Sequence, residues 1–408
     1  MHVLDVTIEP INQGLRVRSQ YDSIDILIRS AHAIPDVQLA ADFAAWLFLP
    51  LGMIRGQNLR IHANGSHITC DNARKLAEVW AAWMPEKFSA IEISFSGESS
   101  YTACPENRRD LCFYSGGVDS TYSLISRLRM GLKQSLLTVH GMDYAFEDEQ
   151  RFTSLIEKTA PFAGLVSNDW IQVKTNAYSV YNKYKINTPT SHVTHIFALS
   201  GAAFLFSQLF SNIVIAADYR LDQQFTVWPW GSNSVTNPLF SSGLTSLSTH
   251  GDNVTRAEKM ATLLTSPEAL ASLSFCVDYS QRPYNCGVCS KCMRTKLMFF
   301  AATGVVPSIF RTLEIDPNAV RTINLKKKSE VAFFLDLYGM AKQKECLVEM
   351  PYLGEVFNDF KTSLVKNHAV NVEIASNRKS LRQKDTPFSA HWKSPFRALS
   401  RLVNRFHR

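Results

Sequence analysis

The chain has little that marks it for export or for a membrane. Met1-His2-Val3-Leu4-Asp5 offers neither a basic n-region nor an apolar h-region. With eight cysteines and no leader signal, the expectation is a reducing, cytoplasmic setting in which thiols stay free or bind metal. Long hydrophobic runs are scarce. Ala44 to Ile54 is too short to span a bilayer and contains Pro50. Ile196 to Ala217 is longer and uncharged, but it carries Ser200, Gly201, Ser207, Gln208, Ser211 and Asn212 and turns β-branched at Ile213-Val214-Ile215. That pattern predicts a buried helix followed by a central parallel strand. No internal repeat is visible, which excludes a solenoid. Net positive charge is lacking outside the tail. The chain carries +7, yet residues 361–408 hold eleven Lys/Arg against Glu373 and Asp385, so the preceding 360 residues are slightly acidic.

What is present is concentrated in two places. Leu111-Cys112-Phe113-Tyr114 reads as a buried strand, Ser115-Gly116-Gly117-Val118-Asp119-Ser120 as a turn, and Thr121 to Met130 as a helix. Two glycines at a strand-to-helix turn let the backbone approach a ligand and aim amides at an anion, and the helix dipole adds to the attraction. A Walker A loop needs a lysine before its Ser/Thr, and none stands here. The second cluster is Cys276, Cys286, Cys289 and Cys292, spaced Cys-x9-Cys-x2-Cys-x2-Cys. Four thiolates at that spacing complete a closed tetrahedral zinc shell, with an iron–sulfur cluster as the alternative. Lys291, Arg294 and Lys296 would offset its negative charge.

The hexapeptide Ser115 to Ser120 resembles the PP-loop of the ATP pyrophosphatase superfamily. Together with the four cysteines and Arg294, it resembles the 7-cyano-7-deazaguanine synthase family of queuosine biosynthesis. The resemblance covers roughly residues 108–305 and takes in Ile213 to Asp218, Asn237-Pro238-Leu239 and Lys259. One departure is Val139-His140-Gly141-Met142-Asp143-Tyr144, where the family carries a Tyr-Gly-Gln-Arg-His-like run. The resemblance implies a doubly wound, mostly parallel α/β fold of the adenine nucleotide hydrolase type. It also implies a zinc-bound C-terminal element and ATP with Mg2+ as cofactors. Ser115, Asp119, Ser120 and Lys259 become catalytic candidates. Tyr114, Ser115, Gly116, Gly117, Val118, Asp119, Ser120, Thr121, His140, Gly141 and Asp143 become nucleotide-binding candidates, and Cys276, Cys286, Cys289 and Cys292 zinc ligands.

Residues 1–105 read as a small α+β domain of unknown role. Its expected strands are Ile24–Ile28 and Leu59–His62, with a hairpin at Asn64-Gly65 leading into Ile68-Thr69-Cys70. A helix from Asp71 to Trp83 and a strand from Ala90 to Phe95 follow. In residues 106–305 the strands Leu111–Tyr114, Leu136–His140, Trp170–Val173 and Ile213–Ala217 alternate with helices, which implies a mostly parallel sheet with its ligands at the strands' carboxyl ends. His140, His192 and His195 are expected at that mouth, together with Asp143 and Asp218. His192 and His195 stand one helical turn apart, a spacing that suits packing or zinc. Arg256 and Lys259 would present a basic helix face to a pyrophosphate or carboxylate. Residues 306–360 read as a helical extension, and 361–408 as a basic tail. Phe396, Leu399, Val403 and Phe406 of the tail form an apolar stripe beneath arginines.

The leading functional expectation is a ligase that adenylates a carboxylate or amide, releasing pyrophosphate and then AMP as a nitrogen nucleophile attacks. The alternatives are a PP-loop RNA sulfurtransferase with an iron–sulfur cluster, and a nucleotide-binding module without turnover. Expected partners are a small-molecule acid of deazapurine type and ammonia, with a macromolecular acceptor and a homodimer as further candidates. The tail's partner would be RNA, an acidic protein or a membrane surface.

Overall fold

A computed structural model describes residues 2–99, 109–187, 192–321, 323 and 325–364. The basic tail from residue 365 onward and the expected boundary at 105/106 lie outside the described residues. Ten strands form one sheet: β1 (Val3–Ile11), β2 (Gly14–Arg18), β3 (Ser23–Ile28), β4 (Asn58–Gly65), β5 (Ile93–Glu98), β6 (Arg109–Phe113), β7 (Gln134–His140), β8 (Trp170–Thr175), β9 (Phe210–Ala216) and β10 (Ser246–His250). The helices are α1 (Asp42–Arg55), α2 (His67–Trp83), α3 (Val118–Arg129), α4 (Glu149–Val166), α5 (Ala177–Asn182), α6 (His195–Phe204), α7 (Leu221–Gln224), α8 (Arg256–Leu264), α9 (Pro267–Ser272), α10 (Ser290–Thr303), α11 (Pro317–Arg321) and α12 (Lys328–Gln343), and residues 351–364 are also helical. Strand order is β10-β9-β6-β7-β8-β3-β2-β1-β4-β5. Six of the nine neighbouring pairs are parallel.

The chain is therefore α/β with a large, mostly parallel sheet. The N-terminal segment read as a small α+β unit supplies five strands of this same sheet. β3 runs antiparallel to β8, pairing Ile26 with Thr175 and Ile28 with Val173. One hydrophobic core spans the junction and includes Leu4, Trp46, Leu76, Leu111 and Ile213.

Side-chain alternation explains how the strands are covered. Leu111 and Phe113 of β6 enter that first core, whereas Cys112 and the following Tyr114 enter a second one. Leu137 and Leu136 of β7 divide in the same way, as do Ile213 and Val214 of β9. Strands buried on both faces read as continuous apolar runs. β1 instead alternates, with Leu4 and Val6 fully buried and Val3 and Asp5 exposed. The outer face of this half of the sheet carries cross-strand contacts, an Arg16–Asp25 ion pair between β2 and β3 at 2.7 Å and a His62–Asp5 hydrogen bond between β4 and β1 at 2.8 Å.

The uncharged stretch from Ile196 forms α6 and then β9, as its composition predicted. The hairpin expected at Asn64-Gly65 does not form. Those residues end β4, and the Ser66 hydroxyl caps α2 by accepting from Ile68 N at 3.1 Å. Ile68, Thr69 and Cys70 are consequently helical, and the helix starts before Asp71. A serine cap directly after Asn-Gly competes with a turn and wins because α2 buries Leu76, Ala77 and Trp80 against the first core. The last strand of this segment also sits later than expected, at Ile93–Glu98 rather than Ala90–Phe95.

Candidate active site

β6 ends at Phe113, and the chain turns at Ser115-Gly116-Gly117 into α3. Gly116 takes a left-handed φ of +71°, the conformation for which glycine is favoured. The turn is closed by its own hydroxyls. Ser115 Oγ accepts from Gly117 N at 3.3 Å, Ser120 Oγ donates to Gly117 O at 3.2 Å, and the two hydroxyl oxygens lie 3.3 Å apart. Gly116 O accepts from Ser274 N at 2.8 Å, which ties the turn to the segment leading into the cysteines.

Asp119, on the first turn of α3, meets two cations from α8. Lys259 Nζ donates to its Oδ1 at 2.9 Å, and the Arg256 guanidinium hydrogen-bonds to Oδ2. Lys259 is buried and also donates to Ala217 O at 2.7 Å, at the end of β9. Burial alone would raise the Asp119 carboxyl, but Arg256 and Lys259 overcome it and hold the group below the usual carboxylate range. Arg256 also stands 3.8 Å from Asp218 Oδ1, so the two buried cations are shared between two carboxylates directly beneath the turn. α8 is set in place by a capping box in which Thr255 Oγ1 accepts from Glu258 N and Glu258 returns to Thr255 N. From α12, Asp336 accepts from Arg256 N at 3.3 Å.

The turn, Asp119 and Arg256 face a cavity of about 450 Å³ at the carboxyl edge of β6, β7 and β9. Tyr114, Ser115, Gly117, Val118, Asp119, Ser120 and Asp143 of the sequence-predicted set line it. Gly116, Thr121 and Lys259 lie behind that lining, with Thr121 and Lys259 buried. His140 and Gly141 stand away from it. His140 is fully buried, stacked on Phe152 at 4.3 Å, with Nδ1 bonded to Arg29 at 2.8 Å and Nε2 to Ala145 O at 2.7 Å. The expectation that it opens onto the mouth fails because both ring nitrogens are already satisfied. Gly141 has a φ of +103°, and a Cβ there would fall 1.8 Å from Thr175 O. Its role is to let the chain turn after β7.

His192, His195 and Asp218 do line the cavity. Between them stands Trp230, which sequence reading passed over. Its Nε1 donates to Asp218 Oδ2 at 2.9 Å, and its ring packs against His192 and His195 at 5.6 and 5.7 Å. Arg282 and Lys291 add cations from the cysteine-bearing segment. Lys291 sits within the Cys-x2-Cys spacing, and that adjacency is the only sequence signal that places it near the site. Trp230 has no such signal, because its place depends on a long loop folding back.

The four cysteines converge. Their Sγ atoms all lie within 4.8 Å of one another, with Cys276–Cys289 at 3.8 Å and Cys286–Cys292 at 3.9 Å. A tetrahedron with zinc–sulfur bonds of about 2.3 Å has edges of about 3.8 Å, so the donor set fits zinc. Val288 N and Cys289 N point at Cys286 Sγ at 3.4 and 3.3 Å, an arrangement that favours a thiolate. The knuckle needs Gly287, whose φ is +83° and whose added Cβ would meet Thr312 O at 2.2 Å. The site could hold a metal ion. Its neighbours Ser274, Phe275, Lys291 and Thr295 all line the cavity, so the metal centre and the cavity share a wall.

Comparison with protein-family models, curated proteins and solved structures returns no match for this chain. Among the described residues, no helix is long and apolar enough to cross a membrane.

Proposed function

We propose that this chain is an ATP-dependent synthetase of the PP-loop type, which adenylates a carboxylate or amide and passes it to a nitrogen nucleophile. The observation that carries this reading is the pairing of the Ser115–Ser120 turn with Asp119, Arg256 and Lys259 at the mouth of a cavity. In this reading the amides of Gly116 and Gly117 and the hydroxyls of Ser115 and Ser120 cradle the β- and γ-phosphates. Arg256 and Lys259, oriented by Asp119, face the charge that builds on the triphosphate as pyrophosphate departs. Mg2+ brought in with ATP would neutralise part of that charge, with Asp119, Asp143 and Asp218 the carboxylates that line the cavity. The cavity beyond the turn accepts the acid, and a deazapurine carboxylate is the substrate suggested by the sequence resemblance. Zinc in the four-cysteine site would be structural: a closed thiolate shell leaves no open position for substrate. It would hold Ser274, and through it Gly116, in register.

The test is pyrophosphate release from ATP with 7-carboxy-7-deazaguanine and ammonium, run beside metal analysis. One zinc per chain and acid-dependent pyrophosphate support the reading. Iron with visible absorption near 400 nm would move the assignment to a cluster-bearing sulfurtransferase.

A further inference from the structure

The second half of such a reaction has a proton to dispose of. When ammonia adds to the acyl carbon of an adenylate, the new C–N bond leaves a positive nitrogen. That nitrogen must lose a proton as the C–O bond to phosphate breaks and the electron pair departs with AMP. A general base for this step must reach the cavity, be neutral or anionic at working pH, and have an unoccupied lone pair.

The carboxylates of the cavity meet these conditions poorly. Asp119 is bound by Arg256 and Lys259, and Asp218 accepts from Trp230 Nε1 with Arg256 at 3.8 Å from its other oxygen. Asp143 lines the cavity but is exposed to solvent. His192 is exposed as well, with Nδ1 3.5 Å from the Tyr178 hydroxyl. His195 differs from all of these. It opens α6, lines the cavity and is only half-buried, yet among the described residues nothing hydrogen-bonds to either ring nitrogen. Its ring is nonetheless held in place. Trp230 packs on it at 5.7 Å, and a Cβ added to Gly231 would stand 2.7 Å from its Cε1. The same Trp230 indole is fixed by Asp218, which neighbours Arg256, so one chain of contacts joins His195 to the Ser-Gly-Gly turn.

We infer that His195 is the base that takes the proton from the attacking nitrogen in the second half-reaction, with Trp230 and Asp218 as its positioning residues. This inference rests on the synthetase reading. The groups that face His195 are Asp218 from the end of β9, His192 from the approach to α6 and Asp143 from the loop after β7. Burial pushes the imidazole down to about 4. Asp218 and Asp143 counter this, while His192 adds to it. The ring is therefore neutral at pH 7, among the described residues no donor occupies its lone pair, and the negative charge of a bound adenylate raises its basicity when the base is needed.

The experiment separates the two half-reactions in His195→Gln. Adenylation is read by acid-dependent exchange of labelled pyrophosphate into ATP. Nitrogen transfer is read by amide formed from ammonium, and by hydroxamate formed from hydroxylamine, a stronger nucleophile that sheds its proton to water more readily. The expected result is wild-type exchange and hydroxamate formation, with ammonium-dependent amide reduced by about 10²–10⁴-fold. Undiminished amide formation in the variant overturns the inference, and so does loss of exchange along with amide. If His195→Gln does not fold, His195→Ala is assayed with added imidazole: restored amide formation supports the base role, and exchange without restoration overturns it. Wild-type protein lacking both exchange and hydroxamate would instead sink the synthetase reading itself.

Discussion

The two halves of the sheet solve the same burial problem in opposite ways. β6, β7 and β9 are covered on both faces, and two hydrophobic cores meet across them. β1 to β5 contribute to the first core alone and turn their other face outward, where Arg16–Asp25, Arg18–Glu9 and Arg60–Asp5 lie in the open. Exposed pairs of this kind contribute little to stability. At the covered half the charges are different in kind: Arg256 and Asp119 have side chains 9% and 12% exposed, and Lys259 only 1%. Charge taken out of water has to be paired, and once paired it is strongly oriented. The covered half can therefore hold a preorganised site, and the half-covered side braces it through β3 and β8.

The contrast is broken most severely by removing the metal. Cys286→Ser, or a strong chelator, should disorder the segment from about Ser274 to Thr295 and release Gly116 from Ser274 N. Since zinc binding is worth on the order of 10 kcal/mol to small structural sites, the second core should loosen while β1 to β5 keep their protection in hydrogen exchange. Uniform loss of protection across the sheet would contradict the division. A smaller effect is expected from Leu76→Ala, deep in α2 of the braced half. It should cost about 2–5 kcal/mol in denaturant unfolding yet leave kcat/KM of the folded protein unchanged. A third effect, developed only as pH rises, is expected at the covered half. Burial raises the Asp336 carboxyl to about 7, against which Gln223 and the Arg256 amide work. Its folded pKa exceeds its unfolded one, so the stabilisation is full below pH 4 and is lost as pH climbs through 7, up to about 4 kcal/mol. Asp336→Asn should flatten that part of the stability profile, and an unchanged slope would show that the group ionises freely in the fold.

The same contrast decides what could be read from the sequence. Leu111–Tyr114, Leu136–His140 and Ile213–Ala217 are legible because burial on both faces makes them continuous apolar runs. β1 is not legible, since Val3-Leu4-Asp5-Val6-Thr7 alternates too weakly to separate from a loop. β2 is short and begins at Gly14. The Ser-Gly-Gly turn and the cysteine spacing are local patterns and survive as such in the structure. The partners of Asp119 were half legible: Arg256 and Lys259 stood out as a basic face, but nothing local linked them to residue 119. Trp230 and Arg282 reach the cavity through loops, whose course the sequence does not encode by periodicity. His140 is the converse case: its position at the end of a strand suits the mouth, but Arg29, distant in sequence, and Phe152 of α4 draw the ring inward.

The most direct test of the central claim is acid-dependent exchange of labelled pyrophosphate into ATP by wild-type protein and by Asp119→Asn, a variant that keeps the shape of the site but not its charge. Exchange by the wild type is expected, with a loss of about 10³-fold in the variant at an unchanged metal content. Equal exchange by the two proteins would contradict it.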